Sequence, residues 1–163
     1  MSSCVFPGSF DPVTRGHVDL ISRMSVLFDH VTVTVMNNIH KNGSIPVDTR
    51  INLLEKACGS FSNVYVERWD GLLADYMKKK GETIIVRGIR SGLEFDQELQ
   101  SSMANRRLNS KLETVFLPCS PLTEGISSSA VREIAAFGGD ISAFVPDGLT
   151  EEITALLSKE KIK

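Results

Sequence analysis

Two hydrophobic rhythms take turns along the chain. Short runs with an apolar or β-branched residue at most positions predict five strands: "SCVF" (3–6), "VTVTVM" (31–36), "NVYVERW" (63–69), "TIIVRG" (83–88) and "ETVFLP" (113–118). Between them the spacing lengthens to that of a helix. Residues 17–28 put Val18, Ile21, Met24, Leu27 and Phe28 on one face. Pro46 and Asp48 mark the start of a second helix, which carries Ile51, Leu53, Leu54 and Ala57 and stops near Gly59. Residues 71–81 read as a third helix, with Lys78–Lys80 in its last turn as a solvated face that suits the helix dipole. A long amphipathic helix is predicted over 94–108. Another runs over 127–138 and ends at Gly138–Gly139. A last one, over about 150–160, places Ile153, Leu156 and Leu157 on one side.

Continuous apolar strands separated by helices belong to the α/β class. The expected architecture is a Rossmann-like, doubly wound sheet of five parallel strands with helices on both faces. In such a sheet a ligand lies beyond the carboxyl ends of the strands, where the strand order reverses. The segments following the strands are "PGSFDPVTRGH", "NNIHKNG", "WDGLL", "RGIRSG" and "CSPLTEGISSS". Polar groups and glycine gather at all five.

Composition narrows the class without naming an activity. The 163 residues suit one domain, 1–163, long enough to bury a core without disulfide or metal staples. A net charge of −2 argues against nucleic acid as a partner. No apolar run approaches the ~20 residues needed to cross a bilayer, so no membrane partner is expected. "MSSCVFPGSFD" lacks the basic and apolar regions of a signal peptide. Cys4, Cys58 and Cys119 are odd in number and widely spaced, which fits reduced thiols in the cytoplasm rather than a disulfide or zinc framework.

The loops carry anion-binding chemistry. Gly8 and Ser9 allow a tight turn in which backbone N–H groups approach a phosphate. Gly16 opens the start of the next helix to a ligand, and His17 is placed there to hydrogen-bond a phosphoryl oxygen. On its own, such a histidine is more simply a surface residue, as His30 and His40 are expected to be. Arg87 and Arg90 flank Gly88 at the end of the fourth strand and suit fork-like phosphate binding; the competing reading is ion pairing with Glu94, Asp96 or Glu98. Three serines, Ser127, Ser128 and Ser129, open a helix. One serves as its cap, and three in a row suit a second anion site. Lys41 could add a third cation, although a lone loop lysine is usually solvated. The chain has neither GxxxxGK[ST] nor GxGxxG, so it carries neither a P-loop nor a dinucleotide fingerprint. Together these residues describe a site for a polyphosphate and a second phosphorylated molecule.

The same residues carry a resemblance. Thr14-Arg15-Gly16-His17 resembles the (T/H)xGH signature of the nucleotidyltransferases, and Ile126–Arg132 resembles their ISSTxxR signature. "FPGSFDPVTRGHVDLISRM", "RGIRSGLEFDQELQSSMANR" and "ISSS" stand at the spacings of bacterial phosphopantetheine adenylyltransferases, over nearly the whole chain. The resemblance implies transfer of AMP from ATP to 4'-phosphopantetheine. The products are dephospho-coenzyme A and pyrophosphate, in the penultimate step of coenzyme A synthesis. It implies Mg2+ with the ATP, and a homohexamer.

By motif, His17 would stabilise the transition state. ATP would meet Ser9, Phe10, His17, Gly88, Ile89, Arg90, Glu98, Thr123, Glu124, Gly125, Ile126, Ser127, Ser128 and Ser129. Phosphopantetheine would meet Ser9, Lys41, Leu73 and Arg87. Three departures from the family pattern stand out: Ser9 replaces the usual threonine, "HKNGSIPV" replaces a "KKPxF" stretch, and "TEGISSS" lacks the usual aromatic. A sister enzyme, such as a nicotinate mononucleotide adenylyltransferase or one with a cytidylyl acceptor, would share both signatures. A non-catalytic nucleotide-binding regulator would share the fold.

Overall fold

A computed structural model describes residues 1–37 and 43–158. Lys41, His40 and the expected end of the last helix at 159–160 lie outside the described residues. The chain runs β1 (Ser3–Gly8), α1 (Arg15–Leu27), β2 (His30–Met36), α2 (Val47–Cys58), β3 (Val64–Trp69) and α3 (Leu73–Lys80). It continues through β4 (Ile84–Ile89), α4 (Gly92–Leu108), β5 (Glu113–Pro118), α5 (Ser128–Ala136) and α6 (Thr150–Ser158). The five strands are parallel, in the order β3-β2-β1-β4-β5. The chain winds outward from β1 to β3, then returns across the sheet to β4. The reversal falls between β1 and β4.

Alternation along the strands sorts side chains to two faces. On one face, Cys4 and Phe6 of β1 and Val86 of β4 pack with α1, α2, α5 and α6 through Leu20, Ile21, Leu53, Leu54, Val131 and Ile153. On the other, Val5 and Ile85 pack with Ala74, Tyr76 and Met77 of α3 and with Leu112. Helices therefore cover both faces, as the apolar strands require.

Several boundaries differ from the sequence expectation, each for a local reason. Helix α1 starts at Arg15, not at residue 17, because Thr14 is its cap. The Thr14 hydroxyl accepts from the His17 N–H at 3.4 Å, and the His17 ring accepts from the Thr14 N–H at 3.0 Å. His17 thus closes a reciprocal capping box, a place usually taken by Glu or Gln. Helix α4 starts at Gly92, because the Ser91 hydroxyl caps the Glu94 N–H. The larger correction concerns the face of α4. The expected amphipathic helix has no buried residue at all, and Leu93, Phe95, Leu99, Met103 and Leu108 are exposed.

Candidate active site

β1 and β4 are paired in register only at Val5–Ile85. Beyond that point the two strands part, and the crevice predicted at the switch point opens between their carboxyl ends. Arg87 spans it. It sits within β4 rather than at its end, since Gly88 and Ile89 still pair with Leu117 and Pro118 of β5. One end of its guanidinium, Nη1, donates to the Pro7 carbonyl of β1.

Two cavities meet there. One, about 390 Å³, is lined by the turn after β1, by Thr14, Gly16 and His17 at the head of α1, by Gly88, Arg90 and Glu94, and by Ile126–Ser129 at the head of α5. The other, about 320 Å³, lies on the α3 and α4 side, against Met36, Leu73, Ile85, Ser101, Ser102 and Asn105. Pro7, Gly8, Ser9, Arg87 and Glu98 line both. The first receives two helix N-termini, whose unpaired N–H groups and dipoles favour an anion. A Cβ at position 88 would come within 2.3 Å of a terminal methyl of Leu20, which would have to move aside.

The turn that forms the shared wall is anchored from all sides. Asp11, buried, accepts from the Ser44 and Ile45 N–H groups at 2.8 and 2.9 Å. Its own carbonyl accepts from Arg132, and the Pro12 carbonyl accepts from the Ser128 hydroxyl at 2.7 Å. Phe10 adopts a φ of +48°, a conformation rare for a bulky residue and one that persists only where the surroundings impose it. Its ring stands edge-on to Phe6 at 5.6 Å and to His17 at 4.9 Å between centroids.

These contacts also fix the state of His17. Because Nδ1 accepts the Thr14 N–H, the proton of the neutral ring resides on Nε2. Burial, and then the positive charges of Arg90 and Arg87, lower the His17 pKa to about 4. At neutral pH the ring is an uncharged Nε2–H donor in the first cavity.

Both arginines carry ion pairs. Arg87 Nε and Nη2 grip the Glu98 carboxylate, and Arg90 Nε and Nη2 grip that of Glu94. Arg90 Nη1 also donates to the Ile126 carbonyl at 2.9 Å, which ties β4 to the head of α5. Of the three candidate acids Asp96 is the one left out; it is exposed. Ser127 is the cap of α5, accepting from the Ala130 N–H at 3.1 Å.

The structure brings Ser9, Phe10, His17, Arg87, Gly88, Arg90, Glu98, Ile126, Ser127, Ser128 and Ser129 to the first cavity, and Ser9, Leu73 and Arg87 to the second. Ile89, Thr123, Glu124 and Gly125 line neither. Thr123 is buried in a 3₁₀ turn, Pro121–Thr123, where its hydroxyl donates to the Ser120 carbonyl. Sequence reasoning gave no role to Arg132, Cys119, Ser101, Ser102 or Asn105, which also line the cavities. Residues 98, 101, 102 and 105 share one face of α4, a spacing that could have pointed to them.

The chain is similar to known proteins over most of its length. A family described as cytidylyltransferase-like matches residues 5–134. The chain is 43% identical to the phosphopantetheine adenylyltransferase of Clostridium perfringens over 154 residues, 94% of each chain. It is 44% identical to that of Finegoldia magna over 149 residues, 91% of this chain and 92% of the relative. It is 43% identical to that of Rubrobacter xylanophilus over 159 residues, 98% and 97% of the two chains. A solved structure described as a candidate nicotinate-nucleotide adenylyltransferase of Vibrio parahaemolyticus shares the fold, with a TM-score of 0.65 at 19% identity over 98% of this chain and 94% of that one. The chain belongs to the phosphopantetheine adenylyltransferase family.

Proposed function

We propose that this protein transfers the adenylyl group of ATP to 4'-phosphopantetheine, giving dephospho-coenzyme A and pyrophosphate on the way to coenzyme A. The observation that carries the reading is the pair of cavities joined at Ser9 and Arg87: a donor and an acceptor can reach one wall from opposite faces of the sheet. The cavity with two helix N-termini, Arg90 and His17 is assigned to ATP. The one with Met36, Leu73 and Asn105 is assigned to phosphopantetheine, whose long arm needs apolar surface beside amide partners.

An oxygen of the acceptor phosphate attacks the α-phosphorus of ATP in line, forming the new P–O bond. The bond from the α-phosphorus to the bridging oxygen breaks, and pyrophosphate leaves with the electron pair. No proton has to be removed, because the attacking phosphate is anionic near pH 7. Catalysis of this kind rests on positioning and on charge stabilisation. Arg87 holds the acceptor phosphate at the shared wall, Arg90 and the serines at the head of α5 hold the departing phosphates, and the His17 Nε2–H donates where charge builds up.

Among the described residues no three His, Cys, Asp or Glu side chains converge on one point, and the two carboxylates in the nucleotide cavity are bound by Arg90 and Arg87. That donor set does not fit a metal cage. Magnesium is accordingly assigned to the ATP phosphates, as their counter-ion held through water.

The assay that tests the reading follows pyrophosphate release from ATP with each acceptor. With magnesium present, 4'-phosphopantetheine should support turnover and nicotinate mononucleotide very little. Equal or greater turnover with the latter would move the chain to the sister activity, and none with any acceptor would favour a regulator.

A homohexamer is assigned on the resemblance, and the bare face of α4 supports an assembly of some kind. Five large apolar side chains on one helix, with Val115 of β5 40% exposed, make more apolar surface than a monomer usually leaves wet. Sedimentation at micromolar concentration should report about six times the 17.9 kDa chain mass. A stable, fully active monomer would contradict it. No helix among the described residues is long and apolar enough to cross a membrane, and Cys4, Cys58 and Cys119 are all free thiols, which supports a reducing compartment, the cytoplasm.

A further inference from the structure

Arg50 of α2 is buried, 5% exposed, and forms no ion pair among the described residues. The buried Asp11 carboxylate stands near the Arg50 Nη2, across Gly43, but outside ion-pair distance, so the charge is offset only in part and its burial still costs stability. Its contacts indicate what the charge is for. Nη1 donates to the carbonyl oxygen of Ser9 at 2.7 Å, while Nε has no partner. The Ser9 carbonyl belongs to the peptide that joins Ser9 to Phe10. In a planar trans peptide the C=O and the N–H point in opposite directions. Helix α2 packs over β2 and β3, so Arg50 reaches this peptide from the β2 side. The Phe10 N–H is therefore turned away from Arg50, on a peptide whose two residues line the nucleotide cavity.

That N–H has no hydrogen-bond acceptor among the described residues, and it belongs to the one non-glycine residue there with a positive φ. A strained peptide with an unused donor stays in place only if it is held. Two restraints hold it: the Phe10 ring wedged against Gly8, Phe6 and His17, and the Arg50 clamp on the carbonyl behind it.

We propose that Arg50 is a positioning residue of the transfer site. It fixes the Ser9–Phe10 peptide so that the Phe10 N–H stands as a preset donor to a phosphate oxygen, and its charge strengthens that donor through the peptide dipole. The kinetic part of this inference rests on the adenylyl-transfer reading; the binding part does not.

The test uses the full-length, ¹⁵N-labelled protein titrated with inorganic pyrophosphate. The Phe10 amide should shift in the wild type and lose its response in Arg50→Met, while core amides such as those of Val33 and Val35 keep their positions. In turnover with ATP and phosphopantetheine, Arg50→Met should lower kcat by roughly 100-fold, the cost of a misplaced donor, with little change in the KM for phosphopantetheine. Arg50→Lys can still donate once to the Ser9 carbonyl and should restore both the amide response and much of kcat.

A wild-type Phe10 amide that ignores pyrophosphate would overturn the proposal. So would a folded Arg50→Met with kcat near the wild-type value, or an Arg50→Lys as impaired as the methionine variant. Should Arg50→Met fail to fold, the wild-type titration and the lysine variant decide by the same outcomes. A Phe10 amide that responds to pyrophosphate in a protein that releases none from ATP would sink the adenylyl-transfer reading and leave the role of Arg50 standing.

Discussion

His17→Ala is expected to lower kcat by roughly 10²–10³, the usual cost of removing one preorganised donor from a site where charge develops, while ATP affinity changes far less. The asymmetry follows from how the ring is held. Its Nδ1 is committed to the Thr14 N–H, so the ring cannot rotate to follow a ligand, and its Nε2–H has one direction in which to act. A donor fixed in this way gains most where negative charge is greatest, which is the transition state rather than bound ATP. Calorimetry with ATP alone and turnover with both substrates separate the two effects; near-normal turnover would return His17 to a capping role only.

The burial of the ring, with Arg90 and Arg87 beside it, sets a pH signature. The unfolded chain carries its histidine near the ordinary 6.5, while the folded ring titrates at about 4. Between those values the unfolded state binds the extra proton, so stability contributed by the neutral ring is present above 6.5 and is lost as pH falls toward 4. His17→Gln, which does not titrate, should flatten that part of the stability profile. A ring found protonated on both nitrogens at pH 6 in the ligand-free protein would contradict the assignment.

Which parts of this site could be read in the sequence follows from the range of the forces involved. The strands, the helices and the loops that face the ligand are local patterns, and a sheet wound through β1 to β4 puts those loops together whatever the details. The start of α1 was hidden because the reciprocal cap uses histidine at the third position, where Glu or Gln is the familiar signal. Arg50 was hidden for a different reason. A polar residue beside Ile51 and Leu53 reads as part of the wet stripe of α2, and only the fold, 41 residues back along the chain, places the Ser9 carbonyl against it. The exposed apolar face of α4 is likewise invisible to periodicity, which finds apolar positions and not what covers them. The pairing of Arg87 with Glu98 and of Arg90 with Glu94, among three neighbouring acids, is set by how α4 lies against β4 and not by spacing along the chain.

Those two pairs determine the remaining large effect. A guanidinium has five N–H donors. Arg87 gives two to Glu98 and one to Pro7; Arg90 gives two to Glu94 and one to Ile126. Each therefore keeps one N–H on each terminal nitrogen for a phosphate, while the carboxylate holds the fork in place. The ion pair and the phosphate contact are compatible, and the carboxylates orient the cations rather than disarm them. A charge-assisted contact of this kind contributes about 1.5–3 kcal/mol. Removing it should weaken the substrate it serves by roughly ten- to a hundred-fold. Arg90 lines the nucleotide cavity alone, so Arg90→Ala should lose ATP and leave phosphopantetheine nearly untouched. Arg87 lines both cavities, so Arg87→Ala should lose phosphopantetheine by that factor and ATP by a smaller one. Titrating each variant with each substrate separately measures all four affinities. If both variants lose both substrates equally, or neither loses any, the arginines serve their carboxylates and not the phosphates.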